Sequence, residues 1–312
     1  MDVGGCFAFA ARHRRPIDKD PIMANKEQRW PGNVPGEFYV DRTCIDCDQC
    51  REIAPVTFGD GDGHALVYSQ PESPEAVHRA LMALVTCPVG AIGSEKRRPL
   101  GEAVASFPEC IDDNVYFCGF ASEDSFGASS YLIVRPEGNV LVDSPRFASR
   151  LVERIEQLGG VRLMFLSHVD DIADHARFRR HFGCERIIHR REMRDSLADI
   201  ERTIDGDEPV WIASELLAIP TPGHTRGHTV LLDRSRFLFA GDHLWWSPER
   251  GRLSASRQYN WYSWPKQIES MERLLAHQFE WVLPGHGRRH HATAEEMRDS
   301  LEQCIAWMRQ SS

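Results

Sequence analysis

The sequence predicts an α/β domain preceded by a smaller α+β unit, and three observations carry that prediction. From about residue 105 onward, short apolar strands alternate with amphipathic helices, the pattern of a buried sheet covered by helices. Ahead of them, residues 36–95 hold shorter strands and a cysteine triplet, Cys44, Cys47 and Cys50, answered remotely by Cys87 before Pro88. A basic, proline-containing stretch, 96–104, separates the two and reads as a linker.

The order along the chain follows. Residues 1–35 are polar, contain Pro and Gly, and read as a disordered tail in which Met23 could be the true start. The apolar run near the amino terminus precedes its positive charges, the reverse of a signal peptide. Residues 37–40 form a strand into the cysteine loop, Gly59 to Gly63 supply turn chemistry, and 65–68 form the next strand. Ser73 or Pro74 then opens a helix whose Val77, Leu81, Leu84 and Val85 keep helical spacing up to Cys87. In the larger domain, 105–312, strands are expected at 131–134, 140–142, 163–166, 186–188, 230–232, 237–240 and 281–283. Helices are expected around 147–158, 174–182, 265–276 and 293–308.

Composition bounds the function. The 312 residues suffice for two domains, and 42% apolar residues suffice for real cores. No apolar stretch approaches a membrane span. A net charge of −9 argues against general nucleic-acid binding. Nine cysteines, an odd number without pairing logic outside the cluster motif, suit a reducing, cytoplasmic setting.

A tight C-x2-C-x2-C loop and a remote Cys-Pro can bring four thiolates onto one compact volume, as a four-iron cube requires. Zinc motifs come instead as two separated C-x2-C pairs. Segments 44–55 and 87–92 resemble bacterial ferredoxins carrying a single four-iron cluster. Ala54 stands where two-cluster relatives carry a further cysteine. The resemblance therefore implies one [4Fe-4S] cluster on Cys44, Cys47, Cys50 and Cys87. Asp46, Asp48 and Glu52 oppose adding an electron, consistent with a low potential, and His64 reads as a solvated loop residue.

A second set of ligand-type residues follows strand ends or tight Gly turns. His168 ends the 163–166 strand, and Asp174 and His175 open the next helix. His224 lies in a loop reading PGHTRGH, Asp242 follows AG, and His286 sits in LPGHG. This succession resembles the metallo-β-lactamase-fold superfamily over roughly 105–290, its last three elements being close to hydroxyacylglutathione hydrolase-like members. The resemblance implies an αββα sandwich holding one or two divalent ions, zinc or iron. His168, His224 and Asp242 would bind one; Asp174, His175, His286 and a shared Asp242 would bind the other. The family pattern H-x-H-x-D-H is broken here, because two residues are inserted and the middle histidine is missing. Asp170 or Asp171 replaces it, Asp170 being the favoured choice. In a further register Asp170 and Ile172 align with the two histidines. A carboxylate there is a harder donor that shifts preference toward iron or manganese, and flavodiiron proteins also carry one.

The bland readings stand beside these. His228 is a supporting or structural residue, His243 and Asp143 support or pack, His189 is structural, and His290 and His291 are solvated. Trp245, Trp246, Tyr259, Trp261, Tyr262 and Trp264, interleaved with Arg250, Arg252 and Arg257, are either loop packing or a mouth for an anionic small-molecule substrate. The expected activity is hydrolysis of an ester, thioester or related bond, with Asp174 and Asp242 in catalytic roles. The alternative is a redox enzyme whose di-iron or mono-iron centre is fed by the cluster. The cluster could also be structural, or a docking point for a redox partner protein.

Overall fold

A computed structural model of the chain describes residues 24–310; residues 1–23, including Met23 as a candidate start, lie outside it. The tail expected through residue 35 is not a tail from Ala24 onward. Asn33 accepts from the backbone N–H groups of Val40 and Val67 and donates to the carbonyls of Val40 and Trp30, stitching this segment to two strands. His64 is likewise buried rather than solvated. Its ring stacks on Trp30 at 4.2 Å, and its nitrogens meet the carbonyls of Ala65 and Asp41.

In the front unit, Phe38–Val40 pairs antiparallel with Ile92–Ser94, and Phe58–Asp60 with Ala65–Val67. The helix Pro74–Thr86 starts where the sequence places it. Pro74 stands in its first turn, and Ser73 Oγ accepts from the Ala76 N–H. A short helix, Gly101–Ala105, occupies the stretch read as a linker.

The larger unit stacks two sheets. The first runs Arg202–Ile204, Glu185–His189, Leu163–Phe165, Val140–Val142, Tyr131–Ile133, Val115–Phe117, Glu109–Asp112. Its first four strands are mutually parallel. The second runs Val210–Ala213, Leu216–Pro220, Thr229–Asp233, Phe237–Gly241, Trp281–Pro284, His290–His291. Period-two alternation sorts the second sheet's side chains. Leu216, Ala218, Leu231, Phe237 and Phe239 face the first sheet, while Leu217, Ile219, Val230, Leu232 and Leu238 face helices Trp264–Leu274 and Ala294–Gln310. Helices Ser149–Gln157 and His175–Phe182 contribute Leu151, Ile155 and Phe178 to the core that contains the first sheet. The layers are α, β, β, α. Among the described residues no helix is long and apolar enough to cross a membrane.

The two units share one core. Phe38, Phe58 and Leu84 of the front belong to the same buried cluster as Phe117, Leu132 and Phe165. Polar contacts reinforce the junction. Gln49 donates to Ser129 Oγ at 2.8 Å, Arg288 pairs with Asp48 and Glu52, Arg289 pairs with Glu52, and Arg79 pairs with Glu109.

Arg186 is buried to 1% exposure and is neutralised by Glu201, with further bonds to Asp199. Burial raises the Glu201 pKa, but hydrogen bonds from Arg186 and Arg179 outweigh it and bring it down to about 2. A carboxylate depressed in the fold contributes stability above its unfolded pKa and loses it as pH falls through the folded value. Glu201→Gln is therefore expected to cost about 1–2 kcal/mol near neutrality. Urea titrations between pH 5 and about 2 should show a shallower acid loss in the variant than in the parent.

Candidate metal centres

The front centre is built by a coil that places three thiols on one wall. Asp46 and Asp48 take left-handed backbone at φ 57° and 68°, a conformation Asp tolerates, and turn the chain between Cys44, Cys47 and Cys50. Cys87 caps the Pro74–Thr86 helix and closes the pocket, which Val40, Ala65, Val89 and Ile92 line with apolar surface. Burial, and then the neighbouring thiols, push the pKa values of Cys47 and Cys50 upward. Four converging thiols, Cys50 buried and the other three half-buried, suit a group that would favour their ionised form, as the iron of a cluster would. The N–H groups of Asp46 and Ala91 point at the sulfurs of Cys44 and Cys87, at 3.4 and 3.2 Å. The acids around the loop are not bare charges. Arg51 pairs with Asp46 and Asp48, and Arg288 and Arg289 pair with Asp48 and Glu52, so their opposition to an added electron is largely offset.

The second centre lies at the strand ends of the sandwich. His168 follows Leu163–Phe165, Asp242 follows Phe237–Gly241, and His286 follows Trp281–Pro284. His224 comes from the loop after Leu216–Pro220, and its carbonyl accepts from the Trp261 N–H. Two ligand groups form around Asp242: His168 with His224, and Asp171 with His286. In the first, Asp242 Oδ2 stands 3.8 Å from Nε2 of both histidines, and Asp170 Oδ2 stands 3.8 and 3.6 Å from the same two atoms. In the second, His286 Nδ1 lies 2.9 Å from Asp242 Oδ1. The carboxylates of Asp171 and Asp242 crowd over Gly285 so closely that a Cβ there would stand 2.6 and 2.8 Å from them.

Nε2 of His168, Nε2 of His224 and both oxygens of Asp171 are buried without a hydrogen-bond partner. Orphaned atoms of this kind are costly, of order 1–3 kcal/mol each, and these belong to two converging groups. The electrostatics agree. Burial opposes charge on Asp242, but the His286, His168 and His224 rings hold its carboxyl far below the usual range. Burial likewise opposes charge on His286, and Asp242 overrides it, carrying the ring up to about 10. Asp171 is pushed well up by burial and by Asp242. Mutually opposed shifts of this kind, together with the unpartnered atoms, mark a donor set that fits one or two divalent cations.

Two expected ligands lie elsewhere. Asp174 precedes the helix that begins at His175, and its Oδ2 accepts from the Phe147 N–H at 2.8 Å. The His175 ring turns onto buried Arg186, with Nδ1 3.1 Å from a guanidinium nitrogen, an environment hostile to a metal cation. The inserted residues carry the chain past the centre before the helix starts, and Asp171 takes the place expected of Asp174. Asp170 keeps the position expected of it, facing His168 and His224.

Supporting residues set the rings. Ser167 Oγ meets His168 Nδ1 at 3.0 Å, leaving Nε2 for the centre. His228 Nε2 accepts from the Asp242 N–H, and its Nδ1 meets Thr221 Oγ1. Asp143 accepts from the Ser167 N–H at 2.8 Å, and His189 Nε2 meets the Gly206 carbonyl. Buried Glu192 was not legible in the sequence. It accepts from the N–H groups of Val169 and Gly227 and so ties the His168 loop to the His224 loop. His290 is not simply solvated, because it stacks on Trp246 at 3.5 Å. The guanidinium groups of Arg250 and Arg252 stack on Trp307 of the last helix, while Trp261, Tyr259 and Tyr262 are exposed beside His224.

Residues 124–306 match the family model described as Metallo-beta-lactamase superfamily, and residues 40–94 match 4Fe-4S single cluster domain of Ferredoxin I. Among solved structures, VMB-1 is similar at 14% identity and a TM-score of 0.50, covering 65% of this chain and 96% of its own. DIM-1 metallo-beta-lactamase exposed to ceftazidime is similar at 17% identity and a TM-score of 0.50, with the same coverage. At such identities the likeness concerns the fold. A 97-residue stretch is 35% identical to a protein of Bacillus subtilis (strain 168) named Uncharacterized protein YobT; the match spans 28% of this chain and only 40% of that relative's length.

Asp171→Ala should remove about one equivalent of metal from the second centre, whereas Asp174→Ala should retain both. Plasma emission analysis of anaerobically purified protein, with sulfide-bound iron counted separately, checks the difference.

Proposed function

The chain belongs to the metallo-beta-lactamase superfamily, and on that premise we propose that it is a metal-dependent hydrolase of an ester, thioester or related small substrate, joined to a ferredoxin-like cluster domain. One observation carries the proposal: two ligand groups share Asp242 and present orphaned donors to a common space. His168, His224 and Asp242, with Asp170 at the edge, would hold one divalent ion, and Asp171, Asp242 and His286 the other. Such ions, when bound, lower the pKa of water and polarise a carbonyl or phosphoryl oxygen.

The chain's own residues supply the rest. Ser167, His228 and Glu192 fix the ring and loop positions, so little reorganisation remains at the moment of reaction. The Asp170 side chain keeps 36% of its surface exposed, beside His224 and 4.0 Å from Arg194. That places a carboxylate where it can orient the attacking water and take its proton; the sequence placed a catalytic carboxylate at Asp174 instead. The Phe126 carbonyl adjoins His286, and the exposed Trp261 ring stands edge-on to His224, giving the centre an aromatic surface on that side. Arg194 and Arg226, rather than Arg250 and Arg252, are the cations on this side and suit an anionic substrate. A reducing cytoplasmic setting accords with the free thiols.

A second reading, redox chemistry at an iron-occupied centre, is favoured by the ion pairs that join Asp48 and Glu52 of the cluster loop to Arg288 and Arg289, just beyond His286. Metal content separates the two: about four irons with two zincs per chain supports hydrolysis, and iron well above four supports redox chemistry.

Asp242→Ala should lower kcat/KM on a hydrolysed ester or thioester by on the order of a thousandfold, about 4 kcal/mol of transition-state stabilisation. The cluster's brown colour should remain. Full turnover in this variant would refute the assignment.

A further inference from the structure

The two centres meet at a junction that neither needs for its own ligands. Cys47 packs on Gly127 so tightly that a Cβ there would stand 2.5 Å from Cys47 Cβ and 2.9 Å from its Sγ, and a φ of +83° further favours glycine at that position. The preceding residue, Phe126, presents its carbonyl to Nε2 of His286 at 3.4 Å, while Nδ1 of the same ring faces Asp242. One peptide unit therefore spans from a cluster thiol's neighbour to an imidazole of the second centre. A second arm runs beside it. Gln49, adjacent to Cys50, donates to Ser129 Oγ at 2.8 Å, and the Ser129 N–H donates to the Gly285 carbonyl at 2.7 Å, next to His286. Gln49 and Ser129 are both buried, and the Arg288 and Arg289 ion pairs hold this side of the junction closed.

We infer that this junction is an electron path between the cluster and the metal centre. The inference rests on the redox reading of the centre. Cys44, Cys47, Cys50 and Cys87 would hold the cluster, which when reduced would give up one electron and return to its oxidised state. Gly127 and Phe126 carry the path to His286, with Gln49, Ser129 and Gly285 as a parallel arm. Asp171, Asp242 and His286 would hold the acceptor, an iron ion that would pass from ferric to ferrous with no bond made or broken. A low-potential one-electron carrier recharges the cluster. Tunnelling falls off less steeply through bonds and hydrogen bonds than across open gaps, and both arms consist mostly of such links.

The test uses the full-length protein, purified anaerobically, with either iron or zinc in the second centre. Photoreduction to one electron per chain is followed by freeze-quench spin resonance. In the iron form the reduced-cluster and ferric signals should decay together, at a rate independent of protein concentration, while in the zinc form the cluster signal should persist. Gln49→Leu and Ser129→Ala alter no cysteine and no metal-facing side chain. Each should slow the decay severalfold with cluster content unchanged, and an unaltered rate in both overturns the Gln49 arm. A reduced cluster that persists beside ferric iron, or a rate proportional to concentration, overturns the whole path. A second centre that takes zinc and rejects iron removes instead the redox reading beneath it.

Discussion

The constraint on which the site depends is the gathering of three carboxylates, Asp170, Asp171 and Asp242, and three imidazoles at one end of a sandwich, where His168, His224 and Asp171 are buried and the other three reach solvent. Uncompensated, such a set is costly, because buried charges of one sign repel and orphaned donors lose their hydration. The surrounding sequence serves to hold the set in place. Ser167 orients His168, His228 grips the backbone of Asp242, Glu192 joins two ligand loops, and Gly285 removes a side chain where two carboxylates approach. Each of these contacts fixes a group that would otherwise relax away from its neighbours.

Much of this was legible in the sequence for a physical reason. Strands in the second sheet alternate strictly, so Leu231 and Phe239 against Val230 and Leu238 announce two covered faces. His168, His224, Asp242 and His286 were readable because each follows a strand end or a glycine turn, where backbone geometry aims side chains into a crevice. Asp174 and His175 misled because their fate turns on where a helix begins, and tertiary contacts decide that. Phe147 claims one side chain and Arg186 the other. Glu192 carried no signal, since an acidic residue within a charged stretch looks solvated until two loops close on it.

The junction teaches a related lesson about charge. Asp46, Asp48 and Glu52 read as an acidic rim, yet two of their partners, Arg288 and Arg289, lie more than two hundred residues away in sequence. One-dimensional charge patterns give the sign of a local field, and only the fold reveals its cancellation. The same holds for Arg250 and Arg252, for which the sequence left packing and substrate contact equally open and whose guanidinium groups sit over the Trp307 ring.

The apolar interior that runs without a break from Phe38 to Phe165 has a consequence for how the protein is made. The amino-terminal unit leaves the ribosome before the sheet that covers its inner wall has been synthesised. Until then it exposes a sticky face and four open thiols together. The two halves therefore complete one another's interior and are not freely exchangeable cassettes.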